Sequence, residues 1–211
     1  MNFVVIVCLI GVVPLLLYFL NMKVDKATRY LFPYILLLAI ASLYEFFGTH
    51  LLKLNTSYWF RIYILLEFFT IWYFYFRLLK YKSFYLTYAI IYIIVYFFLL
   101  YNWSPNSKYI EDLPLNIAAL ILVLISSFFW FINVFKKLEE KPLYLRTEFY
   151  YISILLIYFS GTFLVFLMTD YIISNESMEL LYYWNLIVIF NFIVRLTLIF
   201  TVWKARVKLE H

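Results

Sequence analysis

Three ionisable side chains lie near the middle of long apolar stretches of the sequence. Arg195 belongs to the last such stretch, residues 180–203, and Glu45 and Glu67 belong to the second and third stretches. If these stretches cross a bilayer as helices, a charge that faces lipid costs several kcal/mol. We therefore expect all three side chains to face the interior of a helix bundle and to form a polar site near the membrane midplane.

The last stretch supports this expectation by its helical periodicity. Trp184, Val188, Asn191 and Arg195 follow one another at spacings of four, three and four residues, so they share one face of a helix. The fifth stretch has an inward face of the same kind, and Ser126 lies at its centre as a weaker candidate. The sequence thus predicts a ligand-binding set of Glu45, Glu67, Ser126, Trp184, Asn191 and Arg195.

Two interpretations of the central charges remain open at this level. In the first, two carboxylates and one guanidinium bind a small polar or charged ligand. In the second, they form a structural ion pair that fixes helix register, with the other carboxylate kept neutral by burial. Both interpretations explain why a membrane segment tolerates the charges.

The composition is that of an integral membrane protein, for which the lipid bilayer is the first partner. Hydrophobic residues make up 67% of the 211-residue chain and charged residues 14%, whereas soluble domains have roughly 45–50% and about 25%. The net charge of +5 lies mostly in short loops, so we do not expect a nucleic-acid partner. Cys8 is the single cysteine, which excludes an intramolecular disulfide, and we assign no metal and no cofactor.

Seven apolar stretches are each long enough to span a hydrocarbon core of roughly 30 Å. They predict an all-α bundle that forms a single domain over residues 1–208, while residues 209–211 resemble the start of a purification tag. The predicted spans are residues 2–20, 31–54, 57–79, 83–101, 114–135, 148–171 and 180–203.

The distribution of basic residues predicts the orientation. Thirteen lysines and arginines lie in loops one, three and five and in the C-terminal tail, against three on the opposite side, Lys53, Arg61 and Lys108. The positive-inside rule then places the N-terminus outside and the C-terminus in the cytoplasm. We expect the protein in a bacterial cytoplasmic membrane.

Short sequence echoes suggest an internal repeat. Gly48-Thr49 in span two corresponds to Gly161-Thr162 in span six, and Tyr58-Trp59 in span three corresponds to residues 183–184 in span seven. Two parallel three-helix units joined by span four would resemble, by analogy of arrangement only, the SWEET-type transporters. Chance matching in so aromatic a chain is the alternative interpretation.

No motif in the sequence predicts an enzyme. The chain lacks a paired-histidine motif, a nucleophile elbow and a glycine-rich phosphate loop. A retinal protein would need a lysine within its last span, where this chain has Arg195.

Residues 156–161, Leu-Ile-Tyr-Phe-Ser-Gly, are followed by Tyr-Tyr-Trp-Asn at 182–185 and by a basic tail. These features resemble a group of uncharacterised bacterial seven-helix membrane proteins often suspected of signalling roles. The resemblance implies a ligand-binding sensory or receptor-like protein that signals through membrane or cytoplasmic partners. A small-solute transporter and a structural or accessory membrane subunit are the two alternatives.

Overall fold

A computed structural model describes residues 2–20, 23–54, 56–103, 113–136, 142–174 and 180–207, and these residues contain helices and no strand. The predicted all-α class is therefore confirmed. A π-helical segment, Glu45–Leu51, extends the second helix, and a 3-10 turn, Leu143–Leu145, precedes the sixth. The helices are α1 (Asn2–Leu20), α2 (Lys26–Tyr44), α3 (Ser57–Leu78), α4 (Lys82–Tyr101), α5 (Leu113–Lys136), α6 (Thr147–Ser174) and α7 (Leu180–Val207).

Six of these helices are long and apolar enough to cross a membrane. The exception is α3, which has 22 residues but carries Arg61, Glu67 and Arg77. These three charges lower its apolar character although its length is sufficient. A membrane-spanning architecture is thus supported, and a seventh span remains a prediction.

The second helix begins five residues earlier than predicted, because a polar turn precedes its apolar part. The Asp25 carboxylate accepts a hydrogen bond from the Thr28 backbone N–H at 2.9 Å, which caps the helix at Lys26. Asp25 also accepts a hydrogen bond from the Thr147 hydroxyl. One carboxylate therefore ties the start of α2 to the start of α6.

Six helices form a ring in the order α1, α2, α3, α5, α6, α7, and α7 returns to α1. Within this ring α2 also contacts α6 and α7. Among the described elements α4 contacts only α3 and α5, so it lies outside the ring. The polar residues of α2, α3, α6 and α7 can therefore meet inside the ring.

Tyrosines hold α4 against its two neighbours. Each hydroxyl donates to an acceptor on α3 or α5: Tyr85 to Ser126 Oγ at 2.9 Å, Tyr88 to the Ala118 carbonyl at 2.6 Å, Tyr92 to the Ile64 carbonyl at 3.4 Å and Tyr96 to the Arg61 carbonyl at 3.2 Å. These four tyrosines of α4 therefore have a structural role, because their hydroxyls join α4 to α3 and α5.

Two glycines allow close helix contacts inside the ring. A Cβ atom at Gly11 in α1 would overlap Ser42 Oγ in α2, and a Cβ atom at Gly161 in α6 would overlap the Phe190 ring in α7. Small residues permit such close packing between membrane helices.

Large side chains fill the half of the bundle that contains the start of α2 and the end of α3. The fully buried residues there are Leu31, Tyr34, Ile35, Phe74, Tyr75 and Tyr151. This half is closely packed, and the opposite half contains the cavity described next.

Candidate functional site

A cavity of about 460 Å³ lies inside the ring. It extends from the central charged residues towards the N-terminal end of α3 and the C-terminal end of α4, where Ser57 and Trp103 line it. Most of its remaining wall is apolar or aromatic, with Val4, Phe163 and Ile187 among the lining residues. Ligand sites in proteins have this character, an apolar cavity with a few placed polar groups.

The structure brings together four of the six residues predicted to bind a ligand. Glu45, Glu67, Asn191 and Arg195 all line the cavity. Ser126 does not line it, because its side chain faces α4 and accepts the hydrogen bond from Tyr85. Ser126 therefore lies outside this cavity, and its part in ligand binding stays a prediction. The side chain of Trp184 lies outside the described residues.

Arg195 lies on the cavity wall with 4% of its surface exposed. Its Nε and Nη1 atoms have no hydrogen-bond partner. A Cβ atom at Gly11 would lie 3.1 Å from Arg195 Cζ, so the guanidinium packs where α1 and α2 approach each other. In the part of the chain that the structure describes, Arg195 forms no ion pair with either glutamate, although all three residues share one cavity.

Glu45 is the first residue of the π-helical segment that continues α2. Its backbone N–H bonds to the carbonyls of Ala41 and Ser42. Both Glu45 and Thr49 of this segment line the cavity, and π-helical turns occur frequently at functional sites. The Cys8 thiol of α1 interacts electrostatically with Glu45 and with Arg195, so both charges lie near the same sulfur atom.

Glu67 lies in a cluster of tyrosines. The Tyr63 hydroxyl donates to Glu67 Oε1 at 3.0 Å, and the Tyr158 hydroxyl of α6 also hydrogen-bonds to this carboxyl group. Tyr34 is near Glu67 but does not line the cavity. Its buried hydroxyl has no hydrogen-bond partner. Protein donors therefore hydrogen-bond to Glu67, whereas the Nε and Nη1 atoms of Arg195 have no partner.

Aromatic residues and one arginine surround the other end of the cavity. The Arg61 guanidinium lies 5.2 Å from the centre of the Trp103 ring, and Tyr44 stacks on Trp59 at 4.5 Å. A basic residue near the end of a membrane helix is usually solvated, but only 6% of the surface of Arg61 is exposed. Packing against Trp103 explains the difference, since guanidinium groups pack well on aromatic faces.

Two α6 residues of the site escaped the sequence analysis. Tyr158 and Thr162 line the cavity, and Tyr158 contacts Glu67. The four-residue spacing of Tyr158 and Thr162, beside Gly161, was the available signal. It could not be recognised because α6 carries aromatic residues on most of its faces.

No family model matches the chain, and searches of curated proteins and of solved structures give no significant match.

The cavity therefore offers donors and acceptors on one apolar surface. Arg195 and Asn116 line the cavity and have buried nitrogens without a partner, and Glu45 and Glu67 supply carboxylate groups. Asn191 donates its Nδ2 to the Ile187 carbonyl at 3.0 Å and retains its amide oxygen as an acceptor. Such an arrangement can hold a small molecule by a polar group at the centre of the bundle and by apolar contacts towards the Ser57 and Trp103 end of the cavity.

Proposed function

We propose that the protein is a receptor-like membrane protein that binds a small ligand in this cavity. The observation that carries the proposal is Arg195, a cation that lines the cavity and whose buried Nε and Nη1 atoms have no hydrogen-bond partner. Buried polar groups are nearly always hydrogen-bonded, and an exception calls for an explanation. A ligand that supplies the missing acceptors is the explanation that the surroundings of Arg195 favour.

The energetic argument concerns the ligand-free state. A buried donor without a partner costs about 1–3 kcal/mol, and more when the group is charged. A ligand that accepts hydrogen bonds from Arg195 removes this cost on binding. The interaction can thus be stronger than the same hydrogen bond at a solvated surface.

The charge distribution supports access from outside the cell. The thirteen-to-three bias of basic residues favours an external N-terminus. With α3 as a seventh span, the cavity end at Ser57 and Trp103 then faces outward. The packed half of the bundle around Tyr34 and Tyr151 then faces the cytoplasm, where ligand occupancy would be passed to a partner.

Native mass spectrometry of the purified protein tests the binding proposal directly. We expect a small-molecule adduct on the wild-type protein, or ligand-dependent stabilisation in a metabolite screen, and loss of either in Arg195→Met. Arg77→Met is the matched control, because Arg77 packs over the Tyr30 ring and does not line the cavity. Absence of any ligand effect on the wild-type protein would favour an accessory subunit instead.

A small-solute transporter is the second candidate, and the ring order supports it. Counting three helices along the ring leads from α1 to α5, from α2 to α6 and from α3 to α7. The helices that the repeat equates therefore have equivalent neighbours in the ring. Thr49 and Thr162, which the proposed repeat equates, line the same cavity. Liposomes separate the two functions: solute flux that depends on Arg195 would establish transport, and binding without flux would support the receptor.

A further inference from the structure

We infer that the ligand is a small zwitterion, a molecule with a carboxylate and an ammonium group close together on an apolar or aromatic body. This inference rests on the proposed binding function and specifies the class of ligand for the same cavity.

Arg195 selects the carboxylate. A guanidinium presents planar donors that match the two oxygens of a carboxylate. The Nε and Nη1 atoms of Arg195 have no protein partner to displace. Because 4% of the residue is exposed, a bound carboxylate would meet a cation that water hardly screens.

Glu45 selects the ammonium group. Glu67 already accepts hydrogen bonds from Tyr63 and Tyr158, so its carboxyl group has fewer positions left for a ligand. For Glu45, the Cys8 thiol is the side-chain partner found among the described residues. Glu45 is also half-buried on the cavity wall, which leaves its oxygens within reach of a ligand.

The positions of the two charges favour a zwitterion over a singly charged ligand. Glu45 and Arg195 both interact with Cys8, so an anion placed at Arg195 is also near the Glu45 carboxylate. A cation placed at Glu45 is likewise near the guanidinium. A ligand with one charge therefore meets a like charge, whereas a zwitterion places each of its charges beside the opposite one.

The cavity volume and wall define the rest of the ligand. A volume of about 460 Å³ corresponds to roughly fifteen water molecules at about 30 Å³ each. This is room for a molecule the size of an amino acid with a large side chain. The stacked pair Tyr44 and Trp59 and Phe163 line the cavity, and aromatic faces of this kind favour an apolar or aromatic body.

Titration calorimetry of the full chain in detergent or nanodiscs tests the inference with three probes. L-Phenylalanine carries both charges, phenethylamine lacks the carboxylate, and 3-phenylpropionate lacks the ammonium group. We expect phenylalanine to bind at least tenfold more tightly than either singly charged probe. Equal or tighter binding of 3-phenylpropionate or phenethylamine would overturn the inference.

Two substitutions assign the charges. Glu45→Gln should weaken phenylalanine at least tenfold and leave 3-phenylpropionate unchanged or tighter. Arg195→Met should weaken phenylalanine to the level of phenethylamine. Glu148→Gln and Arg77→Met are the matched controls outside the cavity, and their affinities should equal the wild-type value.

The failure of this inference can be told apart from the failure of the proposed function. An Arg195-dependent adduct in native mass spectrometry together with no binding of phenylalanine would overturn the zwitterion and retain the binding site. If no adduct forms, no metabolite in the screen stabilises the protein and no probe binds, both the zwitterion and the binding function would be overturned. Preserved phenylalanine affinity in both Glu45→Gln and Arg195→Met would place zwitterion binding elsewhere and overturn the assignment.

Discussion

Arg195→Met is expected to stabilise the ligand-free protein and to abolish ligand binding. The substitution removes a guanidinium with two nitrogens that have no hydrogen-bond partner. Methionine has a comparable length, is apolar and adapts to irregular space. It can therefore fill the position against Gly11 without leaving a buried charge.

The magnitude follows from the contacts that change. Removing unsatisfied buried donors recovers about 1–3 kcal/mol. The loss of the interactions of Arg195 with Cys8 and with the surrounding charges offsets part of this gain, so we expect a net stabilisation of about 1–2 kcal/mol. For a protein of this size each kcal/mol shifts Tm by about 2–4 °C, which gives an increase of roughly 2–8 °C.

Thermal unfolding of ligand-free protein in one detergent measures the effect by intrinsic fluorescence. Arg77→Met serves as the control, because it loses a ring contact with Tyr30 and removes no unpartnered nitrogen from the cavity. The structural ion pair that the sequence leaves open would give the opposite result, because removing only Arg195 from such a pair would cost several kcal/mol.

Double-mutant cycles of Arg195→Met with Glu45→Gln and with Glu67→Gln decide between the two expectations. A large loss of stability in Arg195→Met that either second substitution restores would show a direct ion pair. That outcome would refute the argument from the unpartnered guanidinium. Weak coupling to Glu67 and a rise in Tm would support it.

Four further substitutions test helix packing, the α2 cap and a backbone conformation. Gly161→Ala should lower stability by about 1–3 kcal/mol, because its methyl group would meet the Phe190 ring. Gly48→Ala should be tolerated, because the nearest neighbour of a Cβ atom there lies at 3.4 Å. Thermal unfolding compares the two variants, and equal Tm values would contradict the close contact at Gly161. Asp25→Ala should cost about 0.5–2 kcal/mol through loss of the α2 cap, and unchanged stability would show that the cap is unimportant. Lys53→Gly should stabilise by about 0.5–1 kcal/mol, since φ is 51° at this position, and a lower Tm would refute that.

The sequence predicted the helices well because apolar length is a direct physical requirement for crossing a bilayer. The helices α1, α3 and α4 begin and end within one residue of the predicted spans. The main error was the start of α2, where the turn before the apolar run becomes helical through the carboxylate of Asp25. A cap that also bonds to α6 depends on tertiary contacts, which a linear pattern does not contain.

The central charges could be predicted to converge, but their pairing could not. Glu45, Glu67 and Arg195 share a cavity because each would be costly against lipid. Whether a guanidinium touches a carboxylate depends on side-chain distances of a few ångströms, and helix periodicity does not determine these. Ser126 shows a related point: an inward-facing polar residue can bond to a neighbouring helix, here through Tyr85, without lining the cavity.

One half of the bundle contains the cavity, and the other half is closely packed. Arg195 lies at the boundary, and the next turns of α7 carry the fully buried Leu198 and Val202. Close-packed interiors do not deform continuously, so a shift of one helix is passed to its packed neighbours. A ligand that draws the Arg195 guanidinium away from Gly11 would therefore act on the packing of α7 against α1 and α6. By this argument Arg195, which we propose recognises the ligand, is also the residue through which binding would alter the packed half.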